Sequence, residues 1–128
     1  MEASDIAKYK GLYLQTARAY VHDLQTNLEI LLNNNENAKA IEVVHLASHS
    51  LTSQSLLMGY IKTGSCSFAI EKIFKAKMEG HFSFKDTTIL LLIACVNKMS
   101  LSLDAIDKLN READLTEETR QLEAVLRL

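Results

Sequence analysis

Apolar positions recur along most of this chain at spacings of three and four, and the stretches that keep this period predict five helices. The first runs from about Asp5 to about Leu32 along a seam of Ile6, Tyr9, Tyr13, Ala17, Tyr20, Leu24, Leu28 and Leu31. Asn33, Asn34 and Asn35 end it, because asparagine tolerates the left-handed conformation and competes for local hydrogen bonds. The second spans about Glu36 to Met58, with its seam at Ile41, Val44, Ser48, Leu51, Ser55 and Met58 and an end signal at Gly59. A link through Lys62, Thr63 and Gly64 leads to a third helix over about Ser65 to Glu79, closed by Gly80. Cys66, Ala69, Ile70, Ile73, Phe74 and the apolar stem of Lys77 form its inner face, Glu71 lies at the edge of that face, and Phe68 points away.

The fourth helix extends from near Asp86 to about Asn110, with Ile89, Ile93, Val96, Leu103 and Ile106 inward and Ser100 interrupting. Leu90, Leu91 and Leu92 widen its apolar face, so it is expected to pack on more than one side. The last starts at Asp114, with Glu117 completing a capping box, and turns Leu122, Val125 and Leu126 inward. Four longer helices with links of a few residues predict an all-α fold: an antiparallel up-down four-helix bundle with an additional C-terminal fifth helix across one end or flank. The whole chain, residues 1–128, is expected to be a single domain.

Composition strengthens the helical reading, since 128 residues hold no proline and four glycines, too little punctuation for an all-β chain. The formal charge of −2 is well mixed and offers no basic surface for nucleic acid. Tyr9, Tyr13 and Tyr20 are therefore core or boundary residues rather than a stacking platform for bases. Cys66 and Cys95 each sit in an apolar helical pattern and read as buried reduced thiols. The first residues lack the layout of a signal peptide, and the longest apolar run, Ile89 to Val96, falls short of the roughly 20 residues of a membrane helix. These features predict a cytoplasmic, soluble domain with no membrane partner.

One helical position carries chemistry. At about 100° per residue, His49 points roughly 130° from the centre of the second helix's seam, so its imidazole is expected at the surface or a boundary. His45, Thr52, Ser53 and Leu56 share its side. His45 and His49 have the four-residue spacing of two zinc ligands, but Leu46 stands where a zinc protease needs glutamate and no third ligand is evident. His45, on the flank, is assigned a packing role. Catalytic thiol chemistry is disfavoured by the apolar setting of both cysteines.

The stretch from Ser48 to Glu79 resembles histidine-containing phosphotransfer (HPt) domains, in particular the N-terminal domain of chemotaxis histidine kinases of the CheA type. A small residue precedes His49 and an apolar Leu51 follows two positions later. Gly59-Tyr60 matches a glycine-aromatic pair ten and eleven positions after the histidine, and Glu71, within Ala69-Ile70-Glu71, comes 22 positions after it. Glu79-Gly80 closes the third helix as in the family, and the opening and fifth helices extend the likeness over nearly the whole chain.

The resemblance implies that His49 is a phosphoacceptor and that Glu71 orients its ring. The phosphoryl group would come from the catalytic domain of a histidine kinase and pass to an aspartate of a response-regulator receiver domain, with ATP and Mg²⁺ supplied by those partners and no cofactor held in this domain. Alone the domain would be a monomeric phosphoacceptor; excised from a chemotaxis-type parent, it would belong to a protein-histidine kinase. The chain departs from the family at three positions. Thr52 stands where the family has lysine near the incoming phosphate, and Ser53 and Leu56 stand where glycine is usual. Phe68 replaces a second histidine and suggests a docking contact, and Lys72 or Lys75 is available to replace the missing charge. The alternative reading is a helical bundle that no longer transfers phosphate and serves as a docking or regulatory module.

Overall fold

A computed structural model describes residues 2–127. Among them the chain is all-helical: α1 (Ala3–Asn33), α2 (Ala38–Leu57), α3 (Ile61–Met78), α4 (Asp86–Leu109) and α5 (Thr116–Val125). Each of the four longer helices packs on two others of that set, α1 between α2 and α4, and α3 between α2 and α4, while α5 lies against α3 and α4. Leu24, Leu28, Leu31, Leu51, Ile70, Phe74, Leu92, Met99 and Leu103 are all fully buried in one core.

The connections follow from local chemistry. Gly59 and Gly80 both adopt positive φ, 84° and 80°, which an L side chain rarely tolerates. At the first, Tyr60 N–H donates to the Ser55 carbonyl and Gly59 N–H to that of Leu56, so the last turn of α2 is satisfied by a Schellman motif. The Gly80 turn repeats it, with His81 N–H donating to Ala76 and Gly80 N–H to Lys77. Tyr60 then lays its ring against Tyr13 of α1, centroids 5.0 Å apart, and Tyr13 shares a 2.7 Å hydrogen bond with Ser55 of α2.

Several sequence expectations change. Ile6 and Tyr9 were expected in the α1 seam, and Tyr9 as a core or boundary residue, yet both are exposed. With 31 residues against 24 in α4, α1 overruns its neighbour, whose end it meets where Lys10 reaches the Asp107 carbonyl and Asn110. The asparagine that adopts the left-handed conformation is Asn110, at φ 56°, and Asn34 is extended instead. Helix α3 begins at Ile61 and absorbs the expected link, because Glu112 accepts hydrogen bonds from the first-turn amides of Lys62 and Thr63. At α5, Asp114 accepts from the Thr116 backbone and hydroxyl while Glu117 pairs with Arg120, so no capping box forms, and Leu126 is exposed. Leu90 is likewise exposed. Helix α4 is long and apolar enough to cross a membrane by length and composition; here its apolar side faces the other helices.

Both cysteines are free and buried, as the apolar pattern predicts. Burial pushes the Cys66 thiol up from 9.0 to about 12 and that of Cys95 from 9.0 to about 11. The Tyr13 phenol rises from 10.0 to about 12, chiefly by burial and against the pull of the Ser55 hydroxyl. In each case the fold holds the neutral form and the unfolded chain ionises first. Their stabilising contribution is therefore whole below about pH 9 and lost as pH rises toward about 12, by up to about 1.4 kcal/mol per group per pH unit. Urea midpoints are expected to hold steady to about pH 8.5 and fall beyond it. Tyr13→Phe, which removes the phenol, should flatten the part of that fall above about pH 10.

Candidate functional site

His49 and Glu71 come together across α2 and α3. Their positions follow from the turn between the two helices: His49 lies ten residues before Gly59, and Glu71 eleven after Tyr60. At about 1.5 Å per residue, both stand roughly 15 Å from the turn and so meet where the helices fold back on each other. Small side chains permit the close approach. Ser67 of α3 is fully buried and donates a 2.9 Å hydrogen bond to the Ser48 carbonyl of α2.

At the edge of that seam, His49 Nδ1 lies 2.9 Å from Glu71 Oε2. An ionised carboxylate only accepts, so the bond places the ring proton on Nδ1 and leaves Nε2 with its lone pair. The His49 side chain is 62% exposed while that of Glu71 is only 15% exposed. The carboxylate is thus held from behind by packing, and the ring it orients stands on the open surface. A cleft of about 360 Å³ opens elsewhere, between the start of α3 and α5, lined by Ile61, Ser65, Leu115 and Thr119 among others.

The supporting residues divide. Thr52, at the position where the resemblance puts a residue near an incoming phosphate, is buried, and its hydroxyl donates to the Ser48 carbonyl at 2.7 Å. Ser53 is exposed one turn beyond His49, with its hydroxyl 3.3 Å from the His49 carbonyl. Phe68 is exposed, as its angle predicts, and Lys72 sets its ammonium 4.9 Å from the centre of the Phe68 ring. His45 is partly buried. Among the described residues, no group of three or more His, Cys, Asp or Glu side chains is placed to hold a metal.

Two features of the site were not read from the sequence. One is Glu112, whose capping of α3 holds the helix that carries Glu71. The other is Gly64, which forms a notch beneath Leu56: a Cβ built there would lie 2.5 Å from Leu56 Cδ2 and 2.8 Å from its Cγ. Leu56 in α2 and Gly64 facing it in α3 are thus one complementary pair. The sequence pattern placed Gly64 in a link before α3, so it gave no signal of this contact. This pair predicts a coupling. Gly64→Ala alone forces Leu56 out of the notch, offsetting the gain of up to about 1 kcal/mol that alanine brings to a helix. In a Leu56→Ala background the same change should be stabilising by about that amount, as measured by urea unfolding of the four proteins of a double-mutant cycle. Equal effects in the two backgrounds would refute the contact.

No family model matches this sequence, and no curated protein matches it.

Proposed function

We propose that this chain is a phosphotransfer domain of two-component or phosphorelay signalling, of the chemotaxis-kinase type, with His49 as its phosphoacceptor. The observation that carries the reading is the His49–Glu71 pair, 2.9 Å apart, which joins an exposed imidazole to a mostly buried carboxylate on the next helix. Imidazole is a competent nucleophile near neutral pH because a large share of it is deprotonated there. The Nε2 lone pair attacks the γ-phosphorus of ATP held by a histidine-kinase catalytic domain. An Nε2–P bond forms, the bond from phosphorus to the bridging oxygen breaks, and its electron pair leaves with ADP. Positive charge appears on the ring and is stabilised across the Nδ1–H···Glu71 hydrogen bond, as a carboxylate behind a histidine does in other sites. In the return step an aspartate oxygen of a receiver domain takes the phosphoryl group, and the electron pair goes back to Nε2. Positioning and charge do most of the work in such transfers, so ATP, Mg²⁺ and the acceptor aspartate all reside in the partners.

For the fold, we propose that the four longer helices form an antiparallel up-down bundle with α5 flanking it. Side-chain pairs support this reading. Between α1 and α4, Lys10 meets Asn110, Arg18 meets Asp104 and Gln25 meets Asn97, so one sequence climbs as the other descends. Between α2 and α3, Ser48 meets Ser67 and His49 meets Glu71, and Glu36, in the turn before α2, meets Lys77 near the end of α3, so these two run the same way. We place the domain in the cytoplasm, where kinase and receiver partners operate, as a monomer.

The test is incubation of the chain with radiolabelled ATP and an active histidine-kinase catalytic domain. A label stable in alkali, labile in acid and transferable to a receiver aspartate supports the proposal. An unlabelled chain beside an active, cognate kinase refutes it. The burial of Thr52 and the exposed Leu56 and Phe68 favour one second reading, a docking or regulatory module that no longer transfers phosphate. It requires stable receiver or kinase binding with no label.

A further inference from the structure

Phosphorylating His49 creates a charge problem beside a fixed anion. The phosphoryl group brings up to two negative charges to Nε2, while Glu71 Oε2 sits 2.9 Å from the other nitrogen of the same ring. Helix α2 offers nothing to offset them. Thr52 is neutral, buried and committed to the Ser48 carbonyl, and no lysine or arginine lies between Lys39 and Lys62. A cation must therefore come from across the seam, where, beyond Lys62 in its first turn beside Asp114, α3 carries Lys72, Lys75 and Lys77.

The three lysines differ in what holds them. Lys77 is tied to Glu36 at 2.6 Å and lies over the Phe84 ring, at the far end of α3. Lys75 stands one turn after Glu71 and is exposed, and among the described residues no carboxylate or aromatic ring holds its ammonium in place. Lys72 is different. Its ammonium rests 4.9 Å from the Phe68 centroid, one turn nearer the start of α3, and Phe68 itself is exposed beside the site. Positions 68, 71 and 72 are neighbours on one helical surface, so Lys72 and the ring that holds its ammonium share the surface of α3 that carries Glu71.

We infer that Lys72, held by Phe68, is the residue that binds the phosphoryl group on His49. It takes over from α3 the charge that α2 lacks, and Phe68 acts as its positioning residue. The inference rests on the phosphotransfer reading above and names the phosphate-binding group within it.

The experiment uses the full chain with phosphoramidate as donor, so that no kinase contact is involved: the donor's N–P bond breaks, ammonia leaves and the Nε2–P bond forms. Lys72→Met is expected to slow labelling about tenfold, with Lys72→Arg and Lys75→Gln within about twofold of wild type and Phe68→Leu in between. Phosphorus NMR of the labelled protein adds a readout that a merely structural role would not move: the second ionisation of the phosphoryl group should shift to higher pH in Lys72→Met and return in Lys72→Arg. Circular dichroism checks that the variants fold. A wild type that labels at His49, with Lys72→Met labelling equally fast and titrating at the same pH, overturns the role of Lys72 and leaves the phosphotransfer reading standing. Loss in Lys75→Gln instead of Lys72→Met also overturns it. A wild type that labels with neither phosphoramidate nor kinase removes both.

Discussion

His49→Gln is expected to abolish phosphorylation, by at least about a thousandfold, equivalent to roughly 4 kcal/mol or more in the barrier. The amide nitrogen of glutamine has its lone pair delocalised into the carbonyl, so no nucleophile remains at the position of Nε2. Glutamine is the informative replacement because its NH₂ can still donate to Glu71, whose carboxylate is only 15% exposed and would otherwise lose a partner. The side chain replaced is itself largely exposed, so the stability change should stay within about 1 kcal/mol. A folded, inert variant is thus the expected result, checked by radiolabelling beside thermal unfolding. The other three histidines provide the control. His45 is partly buried one turn earlier on α2, and His22 and His81 are exposed. His45→Gln should label like wild type, since none of its ring atoms is hydrogen-bonded to a carboxylate that would fix its tautomer. Residual label in His49→Gln that disappears when His45 is also replaced would move the phosphoacceptor one turn along the helix.

How much of this site was legible in the sequence depends on which interactions are local. The exposure of His49 followed from its angle to a seam that includes Ser48, Leu51 and Ser55, all of which are fully buried. That angle depends on Ser48 and Ser55 being core positions, and Ser67 gives the reason on the α3 side: α2 and α3 approach closely enough for a hydroxyl to reach a backbone carbonyl. The inward face of α3, including the largely buried Lys77 side chain, was equally readable from periodicity. Glu71 was not identifiable from the pattern alone. A glutamate at the edge of an apolar face is common, and only its spacing from His49 and Gly59-Tyr60, through the family resemblance, singled it out. The turn explains why that spacing matters, because a residue added on either side of Gly59 would move one partner about 1.5 Å along and 100° around its helix.

What stayed illegible is tertiary. The start of α3 depends on Glu112, about fifty residues away, whose carboxylate accepts the amides of Lys62 and Thr63. No local rule finds a cap that distant. The exposure of Ile6 and Tyr9 depends on where the neighbouring helix ends, not on their own sequence, which carries the apolar period onward past its last partner. Thr52 misled for a subtler reason. Its angle put it on the His49 side, but a threonine in mid-helix can donate to the carbonyl four residues back, and at 2.7 Å from Ser48 this one does. The Leu56–Gly64 contact shows the same limit from the other direction: each residue looks anomalous alone, and together they fill one volume.

Replacing Glu71 separates the two contributions the carboxylate is proposed to make. Glu71→Ala removes both orientation and charge, and phosphorylation is expected to slow about a hundredfold, the upper range for residues that position a reacting histidine from behind. Stability should change little by comparison, about 1 kcal/mol, because the lost hydrogen bond joins a mostly buried oxygen to a ring already in contact with water. Glu71→Gln divides the effect. Its carbonyl oxygen can still accept from Nδ1–H and hold the tautomer, while the negative charge facing the developing imidazolium is gone. A loss of about tenfold would apportion the remainder to orientation. If the amide turns its NH₂ toward Nδ1 instead, the proton moves to Nε2, the nucleophilic lone pair is lost, and Gln becomes as damaging as Ala or worse. Nitrogen NMR of the His49 ring distinguishes these cases by reporting which nitrogen carries the proton, and labelling rates give the magnitude. Equal labelling by wild type, Ala and Gln variants would remove Glu71 from the mechanism and leave the 2.9 Å bond a surface contact.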